Sequence, residues 1–122
     1  MTARLEAVHP VLMVQGVSAS LRFYRSLGFA LAFTDSETAP KYAGVRRDGV
    51  ELHLQWHEEK DLSPGDRPTY RFFVRDVDDL FAEFASRTSG LDRSEVRDTL
   101  WGTREFHVRD PDRNGLQFYR GL

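Results

Sequence analysis

The chain has 122 residues, 40% of them hydrophobic and 30% charged, a formal net charge of -2, and no cysteine. That length buries one modest core with no room for a second independent domain, and the absence of thiols excludes disulfides, zinc–thiolate sites and thiol catalysis. Balanced charge without a basic cluster leaves no footprint for nucleic acid, and neither a membrane-length apolar run nor a signal-type opening precedes the first strand, so a cytoplasmic protein is expected.

In chain order, Val8, Leu12 and Val14 alternate as the core face of a first strand. Val14-Gln15-Gly16-Val17-Ser18 then ends that strand and opens a helix, with Ser18 as the N-cap candidate. Leu21, Tyr24 and Leu27 form its apolar stripe, ended by Gly28. After further strands, Asp48-Gly49 turns into Val50-Glu51-Leu52-His53-Leu54-Gln55-Trp56, where Leu52, Leu54 and Trp56 are expected in the core. Residues 58–68 are polar and rich in proline and glycine, as a connecting loop should be.

The steps then repeat. Val74-Arg75-Asp76-Val77-Asp78 matches Val14–Ser18 at an offset of sixty residues, with Asp78 as the second N-cap candidate. Leu80, Phe81, Phe84 and Ala85 form the second stripe, with Gly90 beyond it. Phe106 and Val108 alternate with Glu105, His107 and Arg109, Asn114-Gly115 is a hairpin-type turn pair, and Leu116 and Phe118 resume the alternation. Both halves read strand, helix, strand, strand, strand: a single domain over 1–122, with module one at 5–57 and module two at 69–120.

A sheet covered by helices on one side turns its apolar set toward them. The other face then carries His9, Val11 and Met13; Glu51, His53, Gln55 and His57; Thr69, Arg71 and Phe73; Glu105 and His107; and Gln117 and Tyr119. A few aromatic rings among several polar groups suit the lining of a small-molecule cleft. No serine stands in a nucleophile-elbow context and no glycine-rich phosphate loop is present.

The run Trp101-Gly102-Thr103-Arg104-Glu105-Phe106, continued by Arg109-Asp110-Pro111 and Asn114, resembles the closing hairpin of bleomycin-resistance proteins. These are a branch of the vicinal-oxygen-chelate superfamily, which also holds glyoxalases and extradiol dioxygenases. The resemblance implies an α+β fold of two βαβββ modules forming a curved mixed sheet with helices on its outer face. It also implies a homodimer in which the strand near Val8-His9-Pro10-Val11 pairs or exchanges between chains.

For the site, the resemblance places Trp101 beside the planar part of a bleomycin-type antibiotic, with Phe33 and Tyr42 as further aromatic surface. The expected ligand-binding set is Trp101, Phe33, Tyr42, Glu51, His53, Arg71, Glu105, His107 and Tyr119, with the loop acids Asp35 and Glu37 near a cationic tail. Arg71 departs from the aromatic usual in the resistance proteins; it favours a ligand with a carboxylate or phosphate, or it pairs with Glu51 or Glu105. In metal-using relatives the ligand positions correspond to His9, Glu51, Thr69 and Gln117, of which only the first two are strong ligands. The expectation is therefore a small-molecule sequestering protein with no catalytic residue, no metal and no cofactor. The alternative is a metal-dependent glyoxalase-like lyase, isomerase or dioxygenase using His9, Glu51 and another pocket histidine.

Overall fold

A computed structural model describes residues 2–58 and 67–122 of the chain. Most of the expected loop at 58–68 lies outside the described residues. Strand β1 (Val11–Val14) runs parallel to β4 (Val50–Trp56), with Val11 opposite His53 and Val14 opposite Trp56. A parallel pair needs a crossover, and helix α1 (Val17–Ser26), β2 (Ala30–Thr34) and β3 (Tyr42–Arg47) supply it. The β3–β4 hairpin closes through Asp48 at φ 52, beside Gly49, as the Asp-Gly pair requires.

Module two repeats the plan with β5 (Thr69–Phe73), α2 (Val77–Arg87), β6 (Arg97–Asp98), β7 (Thr103–Arg109) and β8 (Gly115–Gly121). Each module builds a four-stranded mixed sheet, ordered β1-β4-β3-β2 and β5-β8-β7-β6. Among the described residues, no helix is long and apolar enough to cross a membrane.

Period-two alternation sorts the side chains. Leu12, Val14, Leu52 and Leu54 are fully buried against Tyr24 and Leu27 of α1 and its C-terminal turn. In module two a ring stack forms the core: Phe118 lies 4.9 Å from Phe72 and 5.2 Å from Phe106, with Phe84 of α2 edge-on at 5.3 Å. Each fully buried ring or aliphatic side chain of this kind contributes about 1.5–3 kcal/mol.

Five local expectations are corrected. Both helices begin one residue before the expected caps: Gly16 and Asp76 occupy the N-cap positions, neither makes a side-chain cap, and Ser18 and Asp78 are already helical. Val8 is 88% exposed and precedes β1, because the arm before Pro10 has no sheet neighbour among the described residues. Ala85 faces solvent, the α2 stripe being narrower than the pattern suggested. Trp56 is also exposed, at the end of β4, where the Lys41 ammonium sits 3.9 Å from its ring centroid. Finally, Asn114-Gly115 is not the hairpin turn: Gly115 already pairs in β8 opposite Arg109, and the left-handed residue is Arg113 at φ 67.

That turn is organised by Asp110, which is buried. Its carboxylate accepts the Asp112 and Asn114 backbone N–H groups at 2.9 and 2.8 Å, the Asn114 amide at 2.9 Å and the Tyr24 hydroxyl at 2.9 Å. Asn114 also donates to the Met13 carbonyl at 3.0 Å. The closing hairpin is thereby tied to β1 and α1 of the other module. Burial pushes the Asp110 carboxyl above its usual range, and burial next to that carboxylate pushes the Tyr24 phenol up as well. A second tie is Arg47, which donates to both Glu83 oxygens at 2.6 and 2.9 Å and to the Leu27 carbonyl at 2.7 Å.

Candidate ligand-binding site

On the face of module one opposite its core, alternation brings Tyr42 and Arg46 of β3 beside Glu51 and His53 of β4. Gly44 lies between them because a Cβ there would overlap the Phe33 ring, which lies across the strand. Phe33 is edge-on to His53 at 5.1 Å and stacked with Tyr42 at 6.0 Å, while His9 stacks on His53 at 4.7 Å. The rings cover a polar chain. The His53 Nε2 lies 2.8 Å from Glu51 Oε2, and its Nδ1 lies 2.8 Å from the Tyr42 hydroxyl. A carboxylate only accepts, so His53 donates through Nε2 and, when neutral, accepts the Tyr42 O–H at Nδ1. Arg46 donates to Glu51 Oε1 at 2.6 and 3.1 Å. The His53 hydrogen bond and the Arg46 guanidinium hold the Glu51 carboxyl below its usual range.

Module two carries a second group on β7. Glu105 is 1% exposed, and its Oε1 accepts the Trp101 indole N–H at 3.3 Å and the Thr103 hydroxyl, while His107 Nε2 bonds Oε2. Burial raises the Glu105 carboxyl, but the His107, Thr103 and Trp101 bonds outweigh it and hold the group below its usual range. The Trp101 ring itself is 62% exposed. On β5 and β8 the Arg71 guanidinium lies 4.1 Å from the Tyr119 ring centroid, and Phe73 packs edge-on to the same ring at 5.7 Å.

The expected site residues thus divide into three groups: Phe33, Tyr42, Glu51 and His53; Trp101, Glu105 and His107; and Arg71 with Tyr119. A cleft of about 900 Å³ is reached by one member each of the first and third, with His9, Arg46 and Glu51 on one wall and Arg71 and Phe73 on the other. Of the other expected residues, Phe33, Tyr42, His53 and Tyr119 do not line it, nor do Trp101, Glu105 and His107. The expected pairing of Arg71 with Glu51 or Glu105 is not formed, since Arg46 and His53 hold Glu51 and buried donors hold Glu105. Asp35 is likewise engaged, accepting the Lys41 N–H at 3.0 Å to close its own loop.

Arg46 and Thr103 were missed by the sequence reading. The register across the Asp48-Gly49 turn, which sets Arg46 opposite Glu51, was a usable signal for the first. Thr103, two residues before Glu105 on one strand face, was available by the same alternation.

Among the described residues His9, Glu51 and His53 each offer a ligand atom, all within 4.8 Å of one another. Two imidazoles and a carboxylate are a suitable donor set for zinc, nickel or iron. Arg46 competes for it, because its guanidinium already neutralises Glu51. Strand register also corrects the expected correspondence between the modules. Arg71 stands opposite Gln117 as Val11 stands opposite His53, so Gln117 is the counterpart of His53, and Gly115 that of Glu51.

Residues 6–118 match the Glyoxalase/Bleomycin resistance protein/Dioxygenase superfamily. The chain belongs to this superfamily. Among solved structures, the bleomycin-binding protein of Streptomyces verticillus complexed with copper(II)-bleomycin is 31% identical, with 99% of this chain and 100% of that one covered and a TM-score of 0.81. A bleomycin-binding protein complexed with bleomycin has the same fold at 19% identity, with 97% of this chain and 100% of that one covered and a TM-score of 0.81. So does a glyoxalase-related enzyme of Clostridium phytofermentans, at 16% identity, 98% coverage of both chains and a TM-score of 0.75. No match was found among curated proteins. Superfamily members of this fold thus include both binding proteins and an enzyme, and the chain resembles a bleomycin-binding member most in sequence of the three described.

Proposed function

We propose that this superfamily member binds and sequesters a flat antibiotic of the bleomycin type in the cytoplasm without transforming it. The observation that carries the reading is Trp101, an exposed indole whose N–H is tethered to the buried Glu105. An exposed ring held in one orientation offers a stacking surface at little entropic cost, and the related Streptomyces verticillus protein supports a ligand of this chemistry.

The active form in this reading is a two-fold dimer. Trp101, Glu105 and His107 lie outside the cleft that Glu51 and Arg71 line, so a second chain would supply the missing wall. The arm before β1 supports this, because Leu5 is 101% and Val8 88% exposed, surface that a partner would cover. Phe33, Tyr42, His53 and Tyr119 contribute further ring surface. Arg71, with no ion pair among the described residues, adds a preference for a ligand bearing an anionic group. Incubation with copper(II)-bleomycin should return the compound with unchanged mass, and light scattering at micromolar concentration should give a dimer; a modified product or a monomer mass would defeat the reading.

A second reading rests on the convergence of His9, Glu51 and His53. Those residues would hold a divalent ion, which when bound supplies Lewis-acid stabilisation of an oxyanion for a lyase, isomerase or dioxygenase reaction. Stoichiometric metal in the purified protein, lost in Glu51→Gln, favours this reading over the first.

A further inference from the structure

A separate cavity lies on the helix-covered side of module two, where it meets the β3–β4 turn. Its volume is about 380 Å³, and Phe29, Phe72, Phe84 and Phe118 line its depth. Phe72 stacks on Phe118, on the core side of the sheet, whereas Arg71 and Tyr119 face the opposite side. The β5–β8 sheet therefore stands between this cavity and the ring of Tyr119, and the two clefts meet only along their border at Asp48, Val50, Phe72 and Phe73.

The mouth is acidic. Asp76 and Asp79, at the start of α2, line it, as do Asp48 and Glu83. Among the described residues Arg47 is the only cation in the lining, and its guanidinium is committed to Glu83 and to the Leu27 carbonyl. Asp78, which lies outside the lining, is held by Arg104 at 2.8 Å. Asp76 and Asp79 are different: neither carboxylate has a hydrogen bond or ion pair among the described residues, and Asp76 caps its helix only through its backbone carbonyl, which accepts the Leu80 N–H at 2.9 Å. The α2 dipole offers these two carboxylates only about half a positive charge, so they are not neutralised by their helix, and the Arg75 guanidinium nearby lies over the Phe73 ring, 5.7 Å from its centroid.

We infer that this cavity is a binding site for a small organic cation with an aromatic body, its ring among Phe29, Phe72 and Phe84 and its ammonium between Asp76 and Asp79. The volume falls at the small end of the range of ligand pockets, enough for a one- or two-ring molecule. Aromatic faces attract a cation through their quadrupole, and unpaired carboxylates at the mouth orient it charge outward. An anionic molecule of the same shape is repelled by the same groups. The site is distinct from the proposed antibiotic site, since neither Asp76 nor Asp79, the carboxylates that would hold the ammonium, lines that cleft.

Titration with phenethylammonium chloride, followed by the ring signals of Phe29, Phe72 and Phe84 in NMR, tests the assignment. The expected result is saturable shifts of these rings, weakened by salt, with phenylacetate giving none. The Asp76→Asn/Asp79→Asn double variant, exposed and conservative enough to keep the fold, should lose roughly two- to fivefold in affinity per carboxylate while copper(II)-bleomycin binding is unchanged. Equal binding of phenylacetate, shifts at Tyr42 and Tyr119 instead, or unaltered affinity in the double variant would overturn the inference. So would ring shifts that depend on protein concentration without any probe, which would assign the cavity to a second copy of the chain.

Discussion

The Trp101 indole donates to Glu105 at 3.3 Å, so a largely exposed ring is anchored to a carboxylate that is 1% exposed. The relationship separates the two contributions of the side chain. The ring is available for stacking, and the N–H fixes its angle. Trp101→Ala should reduce affinity for copper(II)-bleomycin roughly three- to tenfold from lost stacking alone, about 0.5–1.5 kcal/mol, with further loss from contact area. Trp101→Phe should recover part of it. Calorimetry on the three proteins, with thermal stability measured in parallel, checks both; equal affinities would remove Trp101 from the site.

Asp110 should matter for stability rather than for binding. Asp110→Ala removes the acceptor for the buried Tyr24 hydroxyl and for the hairpin's own N–H groups, at a cost of about 2–4 kcal/mol. Tyr24→Phe, which removes only one of these bonds, should cost less. Urea denaturation midpoints measure the ranking, and a near-wild-type Asp110→Ala would show that this tie between the modules carries little weight.

These two residues also show which parts of the structure were legible in advance. Alternation separated Phe106 and Val108 from Glu105 and His107 because the two faces of β7 meet different surroundings. Alternation assigns a face but not its solvent, so the burial of Glu105 was hidden: it depends on the turn at Gly102, with φ 92, folding Trp101 back over the strand. The repeat was legible from Val14–Ser18 and Val74–Asp78. The helix starts were not, since each segment offers two residues of N-cap type, Gly16 with Ser18 and Asp76 with Asp78, and the ones that take the position make no side-chain bond to single them out. Asn114-Gly115 misled for a related reason: Asp110, through its carboxylate, displaced the expected turn toward Arg113. The division of the site residues into groups is a tertiary fact that strand patterns do not encode.

Acid should weaken the Arg47–Glu83 tie. The Arg47 hydrogen bonds hold the Glu83 carboxyl below its usual range. A folded value lowered relative to the unfolded chain gives stability that is present above the ordinary glutamate range and is lost as pH falls through the lowered value. Glu83→Gln should therefore cost about 1 kcal/mol near neutrality, allowing for solvent screening, and flatten the acid limb of the stability profile. Denaturation midpoints of both proteins across the acid range decide it; parallel profiles would contradict the assignment.

Arg46 predicts the metal content. With its guanidinium on Glu51, the purified protein should hold far less than one divalent ion per chain by elemental analysis. Arg46→Ala should raise zinc affinity by freeing one Glu51 oxygen. Stoichiometric metal in the wild type would transfer support to the metal-dependent reading.

The most direct test of the central claim is calorimetric titration of the purified protein with copper(II)-bleomycin. The account predicts saturable binding of one molecule per chain, two per dimer, with the ligand recovered intact and Trp101 fluorescence quenched on saturation. Absence of binding at ligand concentrations well above micromolar, or saturation that leaves Trp101 fluorescence unchanged, would contradict it.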